Sequence, residues 1–182
     1  MRTLLCMVTI GILTLAVVGV AQESKKQPPK GELTKAVYMV PNQHCPDCAT
    51  ALEAPLKKVE GIKGVAVNYP NKVATVDFDE TVISAQEVSR AMFQTPHAMG
   101  PNMKYSAFLL LSVPDAKDKT AGTKATTALS KVDGVAKAVF YSQTKSVAIQ
   151  FADKGKVTSV QLIKALDDAG FKASQYGEKF KK

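Results

Sequence analysis

The sequence predicts an α+β fold built as two tandem copies of one βαββαβ unit, each a pair of helices laid on one face of an antiparallel sheet. Three observations predict it. The chain repeats itself, each copy carries a helix start signal at the matching place, and in each copy two alternating segments follow a helical one.

The repeat comes first because it controls the rest. Residues 58–79 (KVEGIKGVAVNYPNKVATVDFD) align with residues 131–152 (KVDGVAKAVFYSQTKSVAIQFA) at an offset of 73 without a gap. Lys58, Val59 and Gly61 meet Lys131, Val132 and Gly134, and Ala74, Val76 and Phe78 meet Val147, Ile149 and Phe151. Backwards, Val40-Pro41 meets Val113-Pro114. Forwards, after a one-residue slip, Val88, Ala91 and Met92 meet Leu162, Ala165 and Leu166.

Within each copy the elements follow in order. Lys35–Val40 and Ser106–Val113 are apolar and strand-like. Leu52, Leu56 and Val59 recur at the spacing of one helix face, as do Ala125, Leu129 and Val132. Gly61 and Gly134 are expected to stop these helices. Alternating strands are expected near 64–69 and 73–79, joined by Tyr69-Pro70-Asn71. The second helix opens with a capping box: Ser84 with Glu87, and Thr158 with Gln161. Gly170 closes the last helix, and residues 171–174 can add a closing strand. This order is the ferredoxin-like arrangement. Two features resist it: Pro55 falls in the first helix, and residues 96–105, with Pro96, Gly100 and Pro101, offer no clear fourth strand to the first copy.

The ends of the chain bound where it works. Arg2, an apolar run from Leu4 to Val20 and the small residues Gly19-Val20-Ala21 have the pattern of a secretory signal, with cleavage expected after Ala21. The rival is a retained membrane anchor. The expected organisation is a signal over 1–21, a polar linker over 22–33, a domain over 34–104, a second over 105–176 and a basic tail over 177–182. The location is then periplasmic or secreted. Lys and Arg number 24 against 16 Asp and Glu, but the lysines are scattered and not interleaved with aromatics. Nucleic acid is therefore not an expected partner, and the membrane is engaged only through the signal.

Beyond the signal only Cys45 and Cys48 remain, too few for a disulfide scaffold. They sit between the first strand and the first helix, where free N–H groups and the helix dipole favour a thiolate. A two-residue spacer lets both sulfurs reach one ion. Two soft sulfurs select Cu(I), Hg(II) or Zn(II) over magnesium or calcium, and zinc ordinarily needs four ligands. His44, His97, Met99 and Met103 are candidate accessory ligands, set against plainer roles as a loop histidine and as core fillers. With two histidines and no nucleophile motif, hydrolytic catalysis has no constellation to rest on.

A CxxC in the first β–α loop of such a unit, with the Val59-Glu60-Gly61-Ile62 turn and the paired strands after it, resembles the heavy-metal-associated domain. That resemblance implies ion binding by Cys45 and Cys48 and handover by ligand exchange to a metal transporter or another metal-binding protein, without catalysis. Copper is the leading ion, with mercury and zinc behind it. The sequence departs from the family's Gly-Met-x-Cys-x-x-Cys: Gln43 stands where the methionine packs, and Pro46-Asp47 is an unusual spacer. In the second copy Asp118 and Ala121 replace the cysteines. Two alternatives stay open: a thiol–disulfide protein using the same pair, and an interaction module with a vestigial site.

Overall fold

The computed structural model describes residues 32–177. The signal, most of the linker and the basic tail beyond Gly177 lie outside the described residues.

The elements are β1 (Leu33–Met39), α1 (Pro46–Leu56), β2 (Ile62–Asn68), β3 (Val73–Asp79), α2 (Ala85–Gln94), β4 (Phe108–Ser112), α3 (Lys119–Leu129), β5 (Val135–Tyr141), β6 (Ser146–Phe151), α4 (Ser159–Asp168) and β7 (Ser174–Gln175). Period-two alternation sets the strands. In β3, Ala74, Val76 and Phe78 are buried while the residues between them are only partly so. Hairpins join β2 to β3 and β5 to β6, and each turns through a lysine in the left-handed region, Lys72 at φ 52° and Lys145 at φ 47°. Both capping boxes form as expected, Ser84 with Glu87 and Thr158 with Gln161.

Two local expectations shift. The first helices end at Leu56 and Leu129, before Gly61 and Gly134. Those glycines instead turn the chain into the following strand, at φ 88° and 92°. A β-carbon on Gly61 would lie 2.6 Å from the Ile83 side chain. Pro55 is accommodated because it sits next to the last residue of α1. There it removes one backbone donor, with almost no helix beyond it to kink.

The strands form one sheet in the order β2-β3-β1-β4-β6-β5, with β7 also paired to β4. All pairings are antiparallel. The order reads alike from both ends, so the copies are related by a pseudo-twofold axis between β1 and β4. That junction answers the missing fourth strand. Beside β1 the second copy supplies β4, with Val37 opposite Leu110 and Met39 opposite Phe108. The expected closing strand is short; only Ser174 and Gln175 pair, with Ser112 and Leu111.

The helices cover one face. One continuous core joins Ala36, Tyr38, Val76, Phe78, Leu109, Leu111, Val147 and Ile149 of the sheet to Leu52, Leu56, Val88, Met92, Leu129, Leu162 and Leu166 of the helices. The opposite face carries a smaller apolar cluster of Val37, Leu110 and Ala148. Polar clamps close the seam. Gln86 Nε2 donates to the carbonyls of Ala152 and Lys154 at 2.7 and 2.9 Å, and its Oε1 accepts from Val157 N at 3.1 Å. Glu80 accepts from the Ser159 backbone N–H and hydroxyl, so a first-copy carboxylate caps α4 of the second. Burial pushes the Glu80 carboxyl up, against the pull of these hydrogen bonds.

Candidate metal centre

The site is built on the step from β1 into α1. The chain leaves β1 tied to the β2–β3 hairpin, with Val40 N donating to Lys72 O at 2.7 Å. It passes Asn42, Gln43 and His44 and enters the helix at Cys45. Cys45 is the cap, extended at φ −149° and ψ 162°, and its sulfur accepts from Cys48 N at 3.3 Å. Pro46 follows at the first helical position, where its missing N–H costs nothing. Asp47 adds an acidic group to the first turn, where the dipole favours it.

This cap brings the sulfurs together. Cys45 Sγ and Cys48 Sγ lie 2.7 Å apart as two free thiols, well beyond a disulfide bond of about 2.05 Å. Cys45 is half-buried and Cys48 buried. The Cys48 side-chain hydrogen bond, followed by burial, pushes the Cys45 thiol up. Burial pushes Cys48 up too, but the hydrogen bond with Cys45 and backbone hydrogen bonds from His44 and Cys45 outweigh it, and its thiol lies below its ordinary value.

The candidate accessory residues divide. His44 is exposed, and its carbonyl accepts from Tyr69 Oη at 3.1 Å. His97 does come back to the loop, because α2 ends at Gln94, and its ring centroid lies 6.2 Å from that of His44. Both its nitrogens are occupied, however. Nε2 donates to Asn42 O at 3.2 Å, and Nδ1 accepts from Met99 N at 3.2 Å. Met99 is exposed and Met103 half-buried. Among the described residues no group of three or more His, Cys, Asp or Glu side chains is placed to share an ion. Cys45 and Cys48 are the two candidates that the structure brings together.

Two neighbours were not legible as site residues. Tyr105 is fully buried, and its Oη donates to Cys48 O at 2.8 Å. Asn42 Oδ1 accepts from Ser106 N at 3.0 Å, and its amide donates to Lys104 O. The signal that points to them is the extra length of residues 95–107, which have no periodicity of their own. Gln43, in the methionine's place, is fully buried, and neither its Nε2 nor its Oε1 has a hydrogen-bond partner among the described residues.

In the second copy the same step is made without sulfur. Asp118 caps α3 at φ −135°, and its Oδ1 accepts from Ala121 N at 2.8 Å. The hydrogen bond that Cys45 makes is preserved, and the sulfurs are gone.

Comparison with known proteins finds likenesses over parts of the chain. Over 52 residues the chain is 36% identical to the mercuric transport protein periplasmic component of Shigella flexneri, a match covering 29% of this chain and 57% of that protein. The chain thus spans little more than half the length of that relative. Among solved structures it is similar to the water-soluble region of the P-type ATPase CopA from Bacillus subtilis, at 19% identity over 82% of this chain and 95% of that one, with a TM-score of 0.39. It is also similar to oxidized MerP from Ralstonia metallidurans CH34, at 23% identity over 42% and 96% of the two chains, with a TM-score of 0.37. The model of the heavy-metal-associated domain matches residues 37–95, which hold the CxxC loop, the hairpin behind it and α2. That segment, about a third of the chain, is what is similar to the heavy-metal-associated domain.

Proposed function

We propose that the protein carries a soft heavy-metal ion between the thiolates of Cys45 and Cys48 and passes it on by exchange of sulfur ligands. The observation that carries this reading is the convergence of two free sulfurs at 2.7 Å on the N-terminus of α1. A pair of sulfurs with no third His, Cys, Asp or Glu side chain placed to join them among the described residues suits an ion content with two ligands. Cu(I) leads and Hg(II) follows, the latter supported also by the likeness to a mercuric transport protein. Zn(II) stands last because it seeks four ligands. Half-exposed Cys45 offers the sulfur that a partner's thiolate would displace first, and buried Cys48 holds on until the exchange is complete. The partner is then another exposed thiolate site, on a metal transporter or a second metal-binding protein. The place of action is the periplasm or another exported compartment, and the second copy supports the first without binding a soft metal.

The competing reading is a thiol–disulfide protein on the same pair. Two sulfurs 2.7 Å apart favour it, since oxidation needs only a small further approach. Against it stands the order of the two thiols. A redox catalyst attacks with an exposed thiol of lowered pKa, whereas here the exposed one is raised and the lowered one is buried.

Titration of the reduced chain with Cu(I) against a competing chelator separates them. One tightly bound ion per chain is expected, lost in Cys45→Ser and in Cys48→Ser. Absence of binding, with turnover of a disulfide substrate, would establish the redox reading instead.

A further inference from the structure

The two copies part company most after their second helices. In both, an Asx side chain of the β–α loop receives a backbone N–H from the segment that follows: Ser106 N to Asn42 Oδ1, and Lys172 N to Asp115 Oδ2. Between helix and anchor the second copy has only residues 169–171, and the first has 95–105. The extra chain folds back over the cysteine loop.

Its contacts there are specific. His97 Nε2 donates to Asn42 O at 3.2 Å. Tyr105 Oη donates to Cys48 O at 2.8 Å. The two rings stack on each other with centroids 4.3 Å apart and planes tilted by 31°. One unit therefore grips the loop on both sides of the sulfur pair. Tyr105 is fully buried and His97 nearly so, and a hydrogen bond made away from water holds its partner more firmly than one at the surface.

We propose that residues 95–105 are a built-in clamp on the CxxC loop, and that Tyr105 and His97 are positioning residues that keep Cys48 inside and leave Cys45 as the sulfur that meets solvent. This deepens the ion-carrying reading of the same loop and rests on it. It also gives His97 a task other than ligation: with Nε2 donating and Nδ1 accepting, the imidazole is a strut between the loop and its cover. The consequence is an order of events. A partner's thiolate reaches Cys45 while the clamp is shut, and release of Cys48 requires the clamp to yield.

Alkylation of Cys48 in the reduced, metal-free chain, followed peptide by peptide by mass spectrometry, tests this without an ion. Tyr105→Phe keeps the buried ring and removes the bond to Cys48 O. His97→Ala removes the strut, and His97→Gln replaces its donor to Asn42 O. Ser89→Ala is the control, since it cuts a bond from α2 to Ala107 O at the far end of the segment. Alkylation of Cys48 is expected to rise at least about fivefold in Tyr105→Phe and His97→Ala, the factor that one lost hydrogen bond represents. It should fall back in His97→Gln and stay unchanged in Ser89→Ala. Equal rates in Tyr105→Phe, Ser89→Ala and the parent chain would overturn the clamp, as would a rise of the same size in the control. The Cu(I) titration of the parent chain keeps the two ideas apart. Accelerated alkylation in a chain that binds no ion leaves the clamp standing and removes the carrier. Tight ion binding with unchanged alkylation does the reverse.

Discussion

The loop after β1 and the loop after β4 are the same device built for different ends. Each enters a helix through an extended cap whose side chain accepts an N–H three residues on. In the second copy the acceptor is Asp118 Oδ1 at 2.8 Å, a good cap. In the first it is Cys45 Sγ at 3.3 Å, a weak one. The first loop gives up cap strength for a sulfur and regains order from the cover laid over it. The second keeps the oxygen and needs no cover. The first loop is thus held by its neighbours, and its counterpart by its own cap.

Transplanting the sulfurs breaks the comparison most directly. Asp118→Cys with Ala121→Cys places a CxxC at the second helix start, and the Cu(I) titration should then reach two ions per chain. Because among the described residues no segment like 95–105 covers that loop, the second ion is expected to bind more weakly than the first. Equal affinities would show that the scaffold alone sets the strength of the site.

A second contrast lies one turn further along the helices. In α3 the small residue Gly122 faces Phe140 of β5, and a β-carbon on it would fall 2.1 Å from the ring. At the matching places the first copy has Ala49 and Val67. The pair has exchanged volume: small against large in one copy, medium against medium in the other. Gly122→Ala alone should destabilise the fold by about 3 kcal/mol through overpacking. Gly122→Ala with Phe140→Val should recover most of that loss. Chemical denaturation of the two variants measures both, and additive effects would mean that the ring swings aside without cost.

What the sequence disclosed and what it hid follow one physical division. The capping boxes, the hairpins and the cysteine cap are set by residues within a few positions of one another, so spacing reveals them. The fourth strand beside β1 was hidden because it belongs to the other copy, and a pairing such as Val37 with Leu110 leaves no local mark. The seam made by Gln86 and Glu80 is hidden in the same way: each reads as an ordinary polar residue near a helix start, and only the fold brings Val157 and Ser159 to them. Tyr105 was hidden because its neighbours, Pro96, Gly100 and Pro101, have the composition of a plain loop. The cysteines were legible as a pair, while their asymmetry, one half-exposed and one buried, needed the tertiary cover.

Gln43 sets the smallest contrast and the last test of it. Its counterpart Ala116 is equally buried and carries no polar group to satisfy. Gln43 brings an amide into the same kind of place and pairs neither end of it among the described residues. Leaving buried polar atoms unpaired costs about 1–3 kcal/mol. Gln43→Met, which returns the residue that the family uses there, removes the amide at nearly constant side-chain length. It is expected to stabilise the reduced, metal-free chain by about 1–2 kcal/mol, within that same range, with Cys48 alkylation unchanged or slower. If stability falls instead, the amide has a partner when the loop moves, and the residue belongs to the working of the site rather than to its packing. The same measurement on Ala116→Gln should show the mirror loss, since an amide added there enters a core with nothing to receive it.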